Sequence, residues 1–154
     1  MQSPLSPNKV RRCPSVSVSL YVLAPVETAP QTITRMNVLI IDDDKLTVNA
    51  VQHSLETLGH SASVAKNGEE AIEMITTGNY DVIISDIMMP GISGLSLVNV
   101  LRSVHLCFTP IIMMSTLNNR PLLDAAFKAG ANDFLNKPVT TEDLAGKLRK
   151  YEKV

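Results

Sequence analysis

The chain has 154 residues, 45% of them apolar and 19% charged, enough for one core of ordinary size with little room for a second domain. Its net charge of −1 hides an asymmetry: residues 1–35 carry Lys9, Arg11, Arg12 and Arg35 against Glu27 alone, whereas from Met36 onward ten basic side chains face fourteen acidic ones. That acidic balance argues against a nucleic-acid surface, which needs clustered Lys and Arg, and no window reaches the roughly 20 apolar residues of a membrane span.

Residues 1–35 hold five of the nine prolines, spaced so that neither a helix nor a central strand can run through them. Arg11 and Arg12 ahead of VSVSLYVLAPV imitate a signal peptide. Serines and prolines interrupt that stretch, so 1–35 reads as a disordered tail before a single domain at 36–154, and Met36 is a further candidate for the natural start. Cys13 and Cys107 share no C-x-x-C spacing and have no histidine at ligand spacing, which fits free thiols in a reducing, cytoplasmic setting.

From Asn37 the pattern alternates. VLII (38–41) is a short β-branched run of the kind buried on both faces of a parallel sheet. Residues 45–58 place Leu46, Val48, Val51, Leu55 and Leu58 at helical spacing, with Gly59 as the stop. SASVAK (61–66) is strand-like, and the Asn67-Gly68 turn leads into a helix whose first turn carries Glu69 and Glu70 and which Gly78 and Asn79 end. A strand at 81–85 is followed by a loop through Gly94, a helix at 95–104 and a strand at 110–115, PIIMMS. Residues 118–129 are helical with Leu122, Leu123, Ala126 and Phe127 on one side, and Gly130 stops them. DFLNK (133–137) is the last strand, and Thr140 or Thr141 caps a helix carrying Leu144 and Leu148. Five strands alternating with five helices predict an α/β fold: a five-stranded parallel sheet, doubly wound as (βα)5, with ligands at the carboxyl ends of the strands.

Those ends carry the chemistry. They present Asp42, Asp43 and Asp44, then Asp86, then Ser115 and Thr116, and finally Lys137 before Pro138. Carboxylates crowded on one rim repel one another and call for a cation, and oxygen-only ligation is what Mg²⁺ prefers. Taken singly, these residues read more plainly: Asp42 to Asp44 as helix caps, Lys137 as a solvated charge, Ser115 as a strand-end hydroxyl satisfying the backbone, and the methionines Met88, Met89, Met113 and Met114 as core and loop filling. His53, His60 and His105 show no metal spacing and read as surface or partly buried histidines.

VLIIDDD, DVIISDIMMPGISGL, PIIMMST and AGANDFLNKP, in this order and spacing across 36–154, resemble the receiver domain of two-component response regulators, the CheY-like fold. The resemblance implies that Asp86 accepts a phosphoryl group from a histidine kinase or histidine phosphotransfer protein, or from a small donor such as acetyl phosphate. Asp42, Asp43, Asp86 and the backbone carbonyl of Met88 would hold Mg²⁺, and Lys137 and Ser115 would stabilise the phosphoryl group. Ser115 and Phe134 would form the switch, Phe134 without the hydroxyl of the tyrosine often found there. Such a protein catalyses only its own phosphorylation and dephosphorylation, and it signals by protein contact, here through roughly 118–151. A stand-alone receiver with no output domain is the expectation, and a phosphorylation-dependent dimer is compatible with it. Met88 and Leu117, two residues past Asp86 and Ser115, stand where polar side chains in the family can orient a hydrolytic water, so the resemblance implies slow self-dephosphorylation. The alternative is a phosphatase of the haloacid-dehalogenase type, whose D-x-D-x-[TV] signature DDDKL matches only in its two acids. A degenerate receiver serving as a dimerisation module is disfavoured, since every pocket position is filled.

Overall fold

In the computed structural model, which describes residues 34–153, strands and helices alternate without exception. They are β1 (Asn37–Ile41), α1 (Lys45–Thr57), β2 (Ser61–Ala65), α2 (Gly68–Thr77), β3 (Val82–Asp86), α3 (Gly94–Ser103), β4 (Ile111–Ser115), α4 (Arg120–Ala129), β5 (Asp133–Asn136) and α5 (Thr141–Leu148), followed by a 3₁₀ turn at Arg149–Tyr151. The sheet is parallel throughout, in the order β2-β1-β3-β4-β5. The tail expected at 1–35, with Cys13, lies almost wholly outside the described residues. Among those residues no helix is long and apolar enough to cross a membrane.

Alternation along the central strands decides which helices cover which face. Val38 and Ile40, Val82 and Ile84, and Ile112 and Met114 face one way and pack with Val48, Val51 and Leu55 of α1 and Leu144 and Leu148 of α5. Their neighbours Leu39, Ile41, Ile83, Ile111 and Met113 face the other way, against Ala71 of α2, Leu97, Val98 and Leu101 of α3, and Ala126 of α4. Strands wrapped on both sides need no polar face, and for that reason VLII and PIIMM read as unbroken apolar runs. Each helix opens on a polar cap that accepts a backbone N–H of its first turn: Asp44, Asn67, Ser93, Asn119 and Thr140. Such a cap contributes about 1 kcal/mol. Thr140, not Thr141, caps α5, and Asn119 moves the start of α4 two residues inward from the expected 118.

Three side chains depart from their expected places. Leu46, expected on the buried stripe of α1, is 80% exposed, because it occupies the first turn, beyond the area the sheet covers. Phe127 is 48% exposed, since α4 offers only Ala126 to the interior as a fully buried residue. Met88, expected to fill space, is 63% exposed, whereas Met89, Met113 and Met114 are buried.

His60 departs in the opposite sense. It is buried, and its Nδ1 accepts the backbone N–H of Met36 at 3.3 Å. Burial pushes its imidazole below the usual range, with Glu152 pulling weakly the other way. The folded state therefore favours neutral His60. As pH falls through about 6.5 the unfolded chain takes up this proton first, and stability is lost between that pH and the lower folded-state value. Urea unfolding at pH 7.5 and pH 5.5 is expected to show the loss, and His60→Asn, which keeps an acceptor without a proton to gain, is expected to shrink it. An equal loss in the variant would assign the effect to other groups.

Candidate functional site

Strands β1 and β3 are neighbours although α1, β2 and α2 separate them in sequence, so the chain leaves their carboxyl ends in opposite directions and opens a crevice there. Asp42 follows β1 directly and is almost fully buried; its Oδ1 accepts the N–H of Asp44 at 3.0 Å. Asp43 is exposed beside it, and Asp44 turns away to cap α1. Asp86 ends β3, one residue later than the expected strand limit of 85, and is buried.

The loop after Asp86 is pinned at both ends. The N–H of Ile87 donates to Met114 O at 3.0 Å, and the N–H of Gly94 donates to Ile87 O at 2.9 Å. Between them Gly91 has φ of +82°, a conformation that side chains resist. Gly94 sits directly under the nucleophile candidate: a Cβ there would lie 2.1 Å from the carbonyl oxygen of Asp86. No signal for that contact exists in the sequence beyond a glycine at the mouth of a helix.

Oxygen atoms of Asp42, Asp43 and Asp86 lie within 4.8 Å of one another. Lys137, immediately after β5, brings its Nζ to 2.8 Å from Asp42 Oδ2 and 3.2 Å from Asp86 Oδ1. It is placed by its own N–H, which donates to Ser115 O at 2.9 Å, and the peptide bond to Pro138 is cis. Burial, reinforced by the charge of Asp42, pushes the Asp86 carboxyl above the ordinary range despite Lys137 and the N–H of Met88. Burial alone would lower Lys137, but its hydrogen bond to Asp42 and the charge of Asp86 outweigh this and hold it above the usual lysine value. A raised Asp86 beside a lysine that already serves two carboxylates marks a pocket with surplus negative charge. Its donors are all carboxylate oxygens, the donor set of a small hard cation, so the residues present fit Mg²⁺.

Ser115 is buried at the end of β4, and its Oγ accepts the N–H of Leu117 at 3.0 Å, which aims the hydroxyl at the rim. Phe134 is partly buried and packs against the α2/α3/α4 side of the core, apart from the carboxylates. Asp42, Asp43, Asp86 and Lys137 are thus brought into one cluster, with Ser115 on the adjacent strand end and Phe134 outside it. Sequence reasoning missed Asp133, a buried carboxylate on β5 that salt-bridges Lys147 and Lys150. Its signal was an acid opening a strand, which taken alone looks like a solvated end.

The sequence matches the family described as response regulator receiver domain over residues 38–149. It is 33% identical over 114 residues to the response regulator MprA of Mycobacterium avium, covering 74% of this chain and 50% of that protein. To the uncharacterized transcriptional regulatory protein YkoG of Bacillus subtilis it is 31% identical over 113 residues, covering 73% and 49%. The chain therefore spans about half the length of these curated relatives. Among solved structures it resembles the chemotaxis protein CheY4 of Vibrio cholerae, with a TM-score of 0.72 and 31% identity over 76% of this chain and 98% of that one. It also resembles a chain of the co-crystal of the Saccharomyces cerevisiae histidine phosphotransfer signaling protein Ypd1 with the receiver domain of the response regulator Ssk1, with a TM-score of 0.70 and 25% identity over 79% and 92%.

Proposed function

The chain belongs to the response regulator receiver family, and from that premise we propose that Asp86 accepts a phosphoryl group, from a histidine kinase or a histidine phosphotransfer protein, in a cytoplasmic phosphorelay. The observation that carries this reading is one ammonium, Lys137 Nζ, within 3.2 Å of a buried carboxylate that shares a rim with Asp42 and Asp43. Family membership replaces the haloacid-dehalogenase alternative.

Phosphoryl transfer is mostly positioning and charge neutralisation. The backbone carries Asp86 at the end of a fully buried strand, so its carboxylate is held by the sheet rather than by a flexible loop. One of its oxygens would form the new bond to phosphorus while the bond from phosphorus to the donor's imidazole nitrogen, or to the acetate oxygen, breaks and its electron pair leaves with the donor. Lys137 is within reach of the oxygens that gain charge, and Ser115 offers a hydroxyl to one of them. Mg²⁺ held by Asp42, Asp43, Asp86 and the carbonyl of Met88 would supply the remaining positive charge. Beside Lys137 a groove of about 210 Å³, walled by Leu46, Val51, Pro138 and Val139, provides apolar ground for a phosphodonor protein, which gives the exposed Leu46 a use. Output would pass through protein contact on the surface formed by roughly 118–151.

Intact-mass spectrometry after incubation with acetyl phosphate and Mg²⁺ is expected to show one added phosphoryl group, absent from Asp86→Asn and absent without the metal. No adduct on the wild type, from acetyl phosphate or from a phosphorylated phosphotransfer protein, would overturn the assignment. The adduct is expected to persist for many minutes, because Met88 and Leu117, 63% and 50% exposed, offer a hydrolytic water no hydrogen bond from their side chains. A half-life of seconds would contradict that.

A further inference from the structure

β5 is one of the sheet's two edge strands, paired among the described residues with β4 alone and four residues long. A short edge strand has little backbone pairing to fix where it lies along its axis, yet Lys137, the residue that follows it, must reach two carboxylates on other strands. Asn132, just before it, is bonded to Ile111 at the start of β4 through its N–H and its side chain, and the start of β5 is also tied to α5. Asp133 is buried; its Oδ1 accepts from Lys147 Nζ and, at 2.9 Å, from the N–H of Phe134, while its Oδ2 accepts from Lys150 Nζ at 2.9 Å. Lys147 lies on α5 and Lys150 in the 3₁₀ turn that continues it. Leu135, on the same side of the strand, packs with Leu144 and Leu148 of α5. The helix is anchored separately, by Leu144 and Leu148 in the core beside α1 and by the 2.9 Å hydrogen bond between Thr141 and Ser54 of α1. α5 therefore offers a fixed seat, and Asp133 is the ionic fastening that ties the strand to it.

We propose that Asp133 is a positioning residue for Lys137: by fastening the start of β5 to Lys147 and Lys150 it sets how far the strand extends toward the rim, and so where the Lys137 ammonium stands relative to Asp86. The proposal rests on the reading of Asp86 as phosphoacceptor for its catalytic consequence, but not for its structural one. At about 3.3 Å per residue, four residues place Asp133 some 13 Å from Lys137, too far for direct contact with the reacting atoms. Its effect must travel through the strand.

Two readouts on the intact protein separate this role from a general loss of stability. One is the initial rate of adduct formation from acetyl phosphate at saturating Mg²⁺. The other is hydrogen exchange at the Lys137 amide, bonded to Ser115 O, compared with the Ile40 amide in the centre of the sheet. Asp133→Asn is expected to slow the rate at least fivefold and to cut protection at Lys137 at least tenfold while Ile40 keeps its protection. Lys147→Arg, which preserves the charge pair, is expected to hold both near wild type. If Asp133→Asn does not fold, Lys147→Met removes one of the two lysine donors and is expected to shift both readouts in the same direction. Unchanged protection at Lys137, or a parallel fall at Lys137 and Ile40, would overturn the proposal. If the wild type takes up no phosphoryl group the function assignment fails, and the exchange comparison still decides the role of Asp133.

Discussion

Gly94→Ala is expected to destabilise the domain by about 2 kcal/mol or more and to disable Asp86 in whatever fraction remains folded. The cause is local and steric: the added methyl would stand 2.1 Å from the Asp86 carbonyl oxygen and 2.8 Å from the Cα of Ile87, both backbone atoms. A flexible side chain could swing aside from such a contact, but a strand end paired with Met114 of β4 cannot. Relief requires moving either the start of α3, which is tied to Ile87 O, or Asp86 itself. Overpacking of this kind costs about 1–3 kcal/mol in ordinary cores and more where backbone must shift. Urea unfolding gives the stability, and intact mass after acetyl phosphate gives the chemistry. A variant with wild-type stability and normal phosphorylation would show that α3 can slide without dragging the nucleophile, contrary to the packing described above.

The second large effect belongs to the opposite end of the sheet. Arg102 of α3 is half-buried and among the described residues has no carboxylate partner; its guanidinium donates instead to Gly130 O at 3.1 Å, Cys107 O at 2.6 Å, Thr109 O at 2.8 Å and Asn132 Oδ1 at 2.7 Å. Asn132 Oδ1 also accepts the N–H of Ile111, so one side chain fastens the loop before β4 to the loop before β5. Hydrogen bonds from a charged donor contribute about 1.5–3 kcal/mol each, and acceptors left unpaired in a buried site add to the loss. Arg102→Leu keeps the stem's packing but orphans these carbonyls, and a loss of about 3 kcal/mol is expected. Arg102→Lys should recover little, since an ammonium cannot serve four acceptors spread over two loops. Phosphorylation of the folded fraction should persist, because Asp133, Lys147 and Lys150 still tie the start of β5 to α5. A destabilisation below about 0.5 kcal/mol by chemical unfolding would show that water replaces the guanidinium.

Much of this protein is legible in its residues alone. The parallel sheet follows from VLII, VIIS and PIIMM, runs too apolar for a sheet with a wet face, and the pocket follows from Asp42, Asp43 and Asp86 ending or following such runs and from Lys137 after the last, more polar strand. What stays hidden depends on contact between distant parts of the chain. Gly94 looks like a loop glycine until Asp86 is seen above it, and Asp133 looks like a solvated acid until α5 delivers two lysines. His60 gives no periodic signal, and only its bond to Met36 explains its burial. Leu46 and Phe127 fit the helical period yet face outward, because periodicity shows which residues share a side and not how far the neighbouring layer extends.

β5 also bears on how the molecule behaves in a crowded solution. A free sheet edge invites a strand from another chain, and natural proteins discourage this with short edges and inward-facing charge. The β5 edge is four residues long and opens on a buried carboxylate already committed to two lysines. A strand pairing alongside it would find few backbone groups to bond and an ion cluster it could not enter without leaving charges unmatched. The ion cluster at Asp133 thus also works against strand addition along the β5 edge, the edge at β2 being a separate one.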